Sequence, residues 1–238
     1  LQDATLPVGT QGVYIGGGFP ELCAAELSAN ATMLASLRAA ARQGIPIYGE
    51  CGGAMYLGRS LTNRDGQRHQ MAALVPLECS MTQARLTVGY RTVVARHPSM
   101  LLRQDERLPG HAFHWSVERR QPDEATAAYD VEGPAPGREG YRCANTLASY
   151  IHLRFGSAPH LAPRFVEACA AVRPWQPAAP GLAGAAVGHA QTVNDAAPLA
   201  LAEPHSGRLS ALTLLRTYGL PGTEIERRSL AISDSALA

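Results

Sequence analysis

A cysteine framed by glycines, in the segment Gly-Glu-Cys-Gly-Gly at residues 49–53, has a residue pattern suited to covalent chemistry. An apolar run at 45–48 precedes it and the helix-forming run 54–57 follows it, which places Cys51 on a sharp turn between a strand and a helix. The N-terminus of a helix favours a thiolate, the reactive form of cysteine. The spacing predicts a nucleophile, with an inert buried thiol as the alternative.

A thiolate that attacks a carbonyl carbon needs N–H donors for the oxyanion that forms. We expect the backbone N–H of Gly52, next to the cysteine, to supply one donor. The second is expected from Gly17 or Gly18, because the loop Gly16-Gly17-Gly18 follows a short apolar run at 13–15 and ends a neighbouring strand.

Three histidines compete for the role of the base. His152 lies where apolar residues alternate around it and a strand ends, which predicts a position at the carboxyl edge of the sheet, near the cysteine. His111 and His114 precede or begin another strand and are predicted to face one side of it. His152 is therefore the expected base, and His114 and Glu50 are candidates for substrate-side contacts.

The elements that must position these residues follow the order of an α/β protein. The pattern predicts a strand at 13–15, a helix from residue 21 to residue 41 with a break near Asn30, a second strand at 45–48 and a second helix from residue 54. Such an order is typical of a parallel sheet with helices on its faces. Further strands are expected at 83–95 and 111–117, and a closing helix at 159–172.

Composition narrows the classes of function. The 238 residues are 46% hydrophobic and carry a formal net charge of +1, which gives no electrostatic reason to expect nucleic acid or a membrane as a partner. The five cysteines are widely spaced and favour reduced thiols, and no leader pattern opens the sequence, so the expected compartment is the cytoplasm. All 21 basic residues are arginine, so the sequence contains no lysine for a phosphate-binding loop.

Four segments, in this order, resemble one known family: YIGGGFPE, YGECGGAMYLG, GHAFHWS and ASYIHLRF. Together they are similar to the glutaminase half of cobyrinic or hydrogenobyrinic acid a,c-diamide synthases, a triad-type (class I) glutamine amidotransferase. The similarity runs from about residue 8 to residue 172 and implies a flavodoxin-like, mainly parallel sheet flanked by helices.

The resemblance implies roles and partners. Cys51 would attack the side-chain amide of glutamine, with His152 as its base. The ammonia would pass to an N-terminal ATP-dependent ligase domain that amidates the a and c carboxylates of a corrinoid. ATP and Mg²⁺ are expected on that domain, and no cofactor is expected on this chain. The alternatives are the glutaminase part of cobyric acid synthase and a non-catalytic interaction module of a fused cobalamin-pathway protein.

The sequence also departs from the family pattern. The ligase half and the first strands of the glutaminase domain are absent from it, which predicts a domain truncated at its N-terminus with an open sheet edge. Arg154 stands two residues after the histidine, where many triad enzymes carry glutamate, so the third member of the triad stays unassigned.

The sequence divides into three predicted segments. Residues 1–173 form the glutaminase domain, and residues 174–208, rich in proline, alanine and glycine, form a linker. Residues 209–238 are the candidate beginning of a fused second domain, because residues 214–232 weakly resemble the start of a precorrin-8X methylmutase.

Overall fold

The computed structural model describes residues 3–177 and the backbone of residues 212–215. Within this part of the chain, helices pack against a large mixed sheet, and a smaller sheet lies beside it. The α-helices are α1 (Ala24–Ala29), α2 (Ala31–Arg42), α3 (Gly52–Leu57) and α4 (Leu161–Ala170). The predicted α/β class is confirmed.

The strands are short, and most are four residues or fewer. They are β1 (Gly12–Ile15), β2 (Ile47–Glu50), β3 (Ser60–Thr62), β4 (Arg68–Gln70), β5 (Glu78–Ser80), β6 (Thr87–Ala95), β7 (Arg107–His114), β8 (Val117–Glu118), β9 (Ala127–Glu132), β10 (Gly137–Cys143), β11 (Thr146–Ser149), β12 (Ile151–Leu153) and β13 (Leu212–Leu215). The large sheet has the order β12-β7-β6-β9-β10-β11-β2-β1-β13, and the small sheet has the order β4-β3-β5-β8.

Parallel pairing is concentrated in the block β11-β2-β1-β13, which carries the predicted site. Alternate residues of β2 enter different hydrophobic clusters: Ile47 packs with α1, α2 and α3, whereas Tyr48 packs with α4 and the antiparallel strands. Burial on both faces explains why β2 reads as a continuous apolar run.

The other half of the large sheet is antiparallel, unlike the mainly parallel sheet that the family resemblance implies. Two residues connect β10 to β11, and such a short connection allows only antiparallel pairing. Strand β7 begins at Arg107, before the predicted residue 111. The strand can include Pro109 because this residue lies one position beyond those paired with β12, so its missing N–H group breaks no hydrogen bond on that side.

The antiparallel strands form a ring. Strands β11 and β12 are consecutive in the sequence and are separated only by Tyr150, yet β11 pairs with β10 and β2 while β12 pairs with β7. The sheet order therefore runs from β11 through β10, β9, β6 and β7 back to β12. This curl brings His152, on the last strand of the order, close to the parallel block.

The break predicted near Asn30 is confirmed. Asn30 separates α1 from α2, and its side-chain Oδ1 accepts a hydrogen bond from the backbone N–H of Met33 at 3.1 Å. An asparagine at this position satisfies an N–H group that a helix start leaves without an intrahelical partner.

Two predicted boundaries differ from the structure. Trp175 is 2% exposed and its backbone N–H donates to the Thr10 carbonyl, so the packed domain extends past residue 173. Strand β13 pairs with β1, so the sheet edge expected to be open is covered over four residues. Most of the predicted linker and of the methylmutase-like tail lies outside the described residues.

No helix in the described part of the chain has the length and apolar character needed to cross a membrane.

Candidate active site

Cys51 occupies the strand-to-helix turn that the glycine pattern predicts. It follows β2 and precedes α3 with backbone angles φ 50° and ψ −107°, in a region that residues other than glycine seldom adopt. The residue is 7% exposed, and its Sγ lies 3.5 Å from the Phe113 carbonyl oxygen on β7. The strained turn projects the thiol from the end of β2, as in a nucleophile elbow.

Glycines allow the start of α3 to lie directly against the loop that follows β1. A Cβ atom at Gly53 would approach the Ile15 carbonyl oxygen closer than 3.0 Å, and one at Gly52 would approach the backbone of Gly18 equally closely. These neighbours are backbone atoms, which cannot rotate away as a side chain can. The close approach brings Gly17 and Gly18 beside the thiol.

We therefore expect Gly53→Ala to lower the free energy of unfolding by about 1–3 kcal/mol, because the added methyl group forces α3 away from β1. Urea unfolding followed by circular dichroism measures this change. Gly156→Ala is the matched control, since a Cβ atom at Gly156 meets no atom within 4 Å. Equal stability of the two variants would contradict the close packing.

The structure brings His152 to the cysteine, as predicted. A Cβ atom at Gly17 would lie 2.9 Å from His152 Cε1 and 3.7 Å from Cys51 Cβ, so the three residues meet at one point. Hydrogen bonding to Cys51, and then to Glu50, raises the pKa of His152 to about 10 against the opposing effect of burial. His152 is therefore protonated at neutral pH and favours a thiolate beside it.

Glu50 holds the histidine from the other ring nitrogen. Its carboxylate Oε1 lies 2.9 Å from His152 Nδ1, and Oε2 accepts a hydrogen bond from the Tyr14 hydroxyl at 2.8 Å. The residue is 4% exposed and is not among the residues that line the cleft beside Cys51. The substrate-side position predicted for Glu50 is therefore wrong, and the acid that the sequence leaves unassigned has a candidate in Glu50.

Tyr14 fixes the far side of this carboxylate. Its ring stacks on Tyr48 with centroids 5.2 Å apart, which leaves the hydroxyl aimed at Glu50. Burial first, and then the neighbouring Glu50 charge, raise the pKa of Tyr14 far above its usual range. Tyr14 thus remains a hydrogen-bond donor to Glu50 at all working pH values.

A cleft of about 300 Å³ opens beside the thiol. Its walls come from the glycine loop, from α3, from the end of β7 and from the segments next to the small sheet. The lining residues are Gly17, Gly18, Phe19, Glu21, Cys51, Met55, Met81, Phe113, His114, Trp115, Ser116 and His152. The cleft therefore contains the predicted nucleophile, the predicted base and two of the three glycines predicted for oxyanion binding.

His114 lines the cleft but does not contact the thiol through any described hydrogen bond. Its Nδ1 lies 2.9 Å from the Ser116 carbonyl oxygen, and its ring stacks on Tyr150 with centroids 4.1 Å apart. Burial lowers the pKa of His114, so the ring is neutral at pH 7. The prediction that His111 shares its face is wrong: His111 stacks with Phe113 instead, because residues three apart in a strand point to opposite faces.

Sequence reasoning missed Glu139, which supports the chain immediately before His152. Its carboxylate accepts a hydrogen bond from the Tyr150 backbone N–H at 2.7 Å and another from the Ser149 hydroxyl at 2.7 Å. Burial is the main cause that raises the pKa of Glu139 to about 7. A glutamate within the strand-forming stretch 137–143 is the only sequence signal for this role, and it is a weak one.

The comparisons with known proteins agree with this geometry. The CobB/CobQ-like glutamine amidotransferase domain family matches residues 1–160, which include the glycine loop, Cys51 and His152. The chain belongs to this family. The matched residues contain all four sequence segments and most of the α/β fold described above.

Curated relatives of this family member are full-length enzymes. The chain is 42% identical over 172 residues to the cobyrinate a,c-diamide synthase of Synechococcus sp., and the match covers 71% of the chain and 37% of that enzyme. It is 40% identical over 162 residues to the synthase of Gloeobacter violaceus, covering 68% of the chain and 35% of the enzyme. For the synthase of Salmonella typhimurium the identity is 38% over 171 residues, with 71% and 37% covered.

The chain thus spans somewhat more than a third of the length of these relatives. Among solved structures, a crystal structure of a glutamine amidotransferase aligns with a TM-score of 0.46 and 16% identity, covering 67% of this chain and 79% of that chain.

Proposed function

We propose that this chain is the glutamine-hydrolysing part of a cobyrinate a,c-diamide synthase, and that it releases ammonia from the side-chain amide of glutamine. The observation that carries the proposal is the contact chain from Cys51 through His152 to the buried Glu50 carboxylate. Such a chain of nucleophile, base and orienting acid is the arrangement that acyl transfer requires.

The first half of the reaction forms a thioester. The Cys51 thiolate attacks the amide carbon of glutamine, and the carbonyl oxygen becomes an oxyanion. When the oxyanion collapses, the C–N bond breaks, and the protonated His152 donates its proton to the departing nitrogen as ammonia leaves. The raised pKa of His152 keeps this proton available at neutral pH.

The second half hydrolyses the thioester. His152, now neutral, removes a proton from water, and the resulting hydroxide attacks the thioester carbon. The second oxyanion collapses with departure of the Cys51 thiolate, which releases glutamate and restores the protonated histidine. Glu50 stabilises the imidazolium in both halves of the reaction and keeps its Nδ1 proton directed toward the Glu50 carboxylate, which leaves the other ring nitrogen to face Cys51.

The oxyanion is proposed to bind the backbone N–H of Gly52 and an N–H of Gly17 or Gly18. The support is positional: Gly17 and Gly18 line the cleft beside Cys51, and Gly52 packs against the Gly18 backbone. Two convergent backbone donors beside an elbow nucleophile are the usual solution for this charge. His114, neutral and at the cleft wall, is the proposed substrate-side residue.

The ammonia is proposed to serve an ATP-dependent ligase domain that amidates the a and c carboxylates of a corrinoid. The support is that the relatives are named cobyrinate a,c-diamide synthases and are nearly three times as long as the matched region. ATP and Mg²⁺ are assigned to that domain. The support is that the sequence has no lysine and therefore no phosphate-binding loop of the GxxxxGK[ST] type.

The test is incubation of the purified chain with L-glutamine. We expect glutamate and ammonia in equal amounts, and a γ-glutamyl adduct on the Cys51 peptide after acid quenching, detected by mass spectrometry. Cys169→Ala, which removes another buried thiol, should retain both signals. A wild-type chain that forms no adduct and releases no glutamate above the no-protein blank would overturn the proposal.

A further inference from the structure

The groups described so far act on the amide end of glutamine, but the substrate also carries an ammonium and a carboxylate on its α-carbon. The α-carbon lies only three carbon–carbon bonds from the amide carbon, so both groups must rest in the same cleft when the amide reaches Cys51. An ammonium group buried in a cleft requires an acceptor, and a carboxylate is the strongest acceptor that a side chain offers.

Glu21 is the one carboxylate among the residues that line the cleft. It lies in the short 3₁₀-helix Pro20–Leu22, directly after the glycine loop beside the thiol. Glu50, the other carboxylate near the thiol, does not line the cleft and is already engaged by His152 and Tyr14. A cationic group in the cleft would therefore find its negative partner at Glu21.

Within the described part of the chain, the Glu21 carboxylate has no salt bridge and no hydrogen bond to another side chain. Burial is the largest effect on its pKa and raises it, whereas its own backbone N–H and the more distant Arg64 act in the opposite direction. A half-buried carboxylate that loses water without a direct ion pair is unfavourable. A cationic ligand would relieve this cost.

We infer that Glu21 binds the α-ammonium group of the glutamine substrate and so selects an α-amino acid over a simple amide. The inference rests on the proposed function, because it assigns a contact in the same cleft. His114 and His152 line the cleft as well, but a protonated His152 repels an ammonium group and a neutral His114 supplies no charge. Glu21 thus provides a negative charge in the same cleft as the thiol.

The test compares L-glutamine with glutaramate, which has the same amide and carboxylate but lacks the α-ammonium group. We expect Glu21→Gln to raise KM for L-glutamine about 10- to 100-fold, as loss of a charge-assisted hydrogen bond predicts, and to leave kcat nearly unchanged. KM for glutaramate should change less than about twofold, because the group that Glu21 contacts is missing from it. Glu26→Gln is the matched control, since it makes the same charge change at an exposed residue outside the cleft.

A second readout does not depend on turnover. L-Glutamine should protect Cys51 from iodoacetamide, and the concentration that gives half protection should rise in Glu21→Gln by the same factor as KM. If L-glutamine protects Cys51 of the wild type but the chain releases no glutamate, the proposed hydrolysis fails. The contact between Glu21 and the ammonium group can then still be tested by comparing half protection in the wild type and in Glu21→Gln. The inference is overturned if Glu21→Gln leaves both KM and half protection unchanged, if it weakens glutaramate as strongly as glutamine, or if glutamine protects no variant.

Discussion

Replacing His152 by alanine is expected to lower glutamine hydrolysis by about 10³-fold or more, as does removal of the nucleophile by Cys51→Ala. The two variants should differ in thiol chemistry. In His152→Ala the Cys51 thiol remains but loses the protonated imidazole that favours its thiolate, so iodoacetamide labelling near neutral pH should slow. Labelling followed by peptide mass spectrometry measures this rate for Cys51 separately from the other four cysteines.

His114→Ala separates the paired histidine from the other histidine of the cleft. His114 contacts the Ser116 carbonyl and Tyr150, so its removal should leave the labelling rate of Cys51 nearly unchanged. Fast labelling in His152→Ala together with slow labelling in His114→Ala would move the base from β12 to β7.

Replacing Glu50 by glutamine should lower kcat/KM by up to about 10⁴-fold, the loss known when the orienting acid of a triad becomes an amide. The Glu50 carboxylate accepts from two donors, His152 Nδ1–H and the Tyr14 hydroxyl. A glutamine side chain has a single oxygen acceptor, so it can accept a hydrogen bond from only one of the two donors. The histidine loses the carboxylate charge that favours its protonated form, and it keeps its orientation only if the amide oxygen faces Nδ1.

The pH profile distinguishes this role from a loss of packing. Glu50 contributes to the pKa of His152 of about 10, so the alkaline limb of kcat/KM that reports loss of the His152 proton should move from near pH 10 toward neutral pH in Glu50→Gln. Tyr14→Phe keeps the carboxylate and should shift the limb much less. Glu106→Gln, at a glutamate that contacts His160 away from the cleft, should leave the profile unchanged. An unshifted alkaline limb in Glu50→Gln would show that the carboxylate does not act through His152.

The parts of the site that the sequence predicts are those encoded locally. Cys51 and its flanking glycines lie within five consecutive residues, and the steric reason for each glycine is visible in the strand-turn-helix pattern. His152 was predicted because an apolar alternation marks the end of a strand. In both cases the neighbouring residues determine where the side chain must emerge.

The parts that the sequence does not predict depend on distant pairing. Glu50 and His152 are 102 residues apart, and nothing in the sequence near either residue specifies that their side chains meet. The inward-facing glutamate at the end of an otherwise apolar strand is the available signal, since a buried carboxylate needs a partner. The prediction that His111 and His114 share a face was wrong, although the sequence was sufficient to avoid it: side chains alternate along a strand, so residues three apart lie on opposite faces.

The ring of strands from β11 round to β12 imposes a geometric closure condition on the catalytic histidine. Five pairings must bring the chain back to the point where Tyr150 links Ser149 to Ile151. A one-residue slip in any of them would turn a strand over or leave the ring unable to close. We therefore expect insertions to be tolerated in the exposed loop 133–136 between β9 and β10, which lies outside every pairing, and to be excluded from the strands themselves. The five strand pairings together fix the position of His152, so this position can be precise even if each single contact is weak.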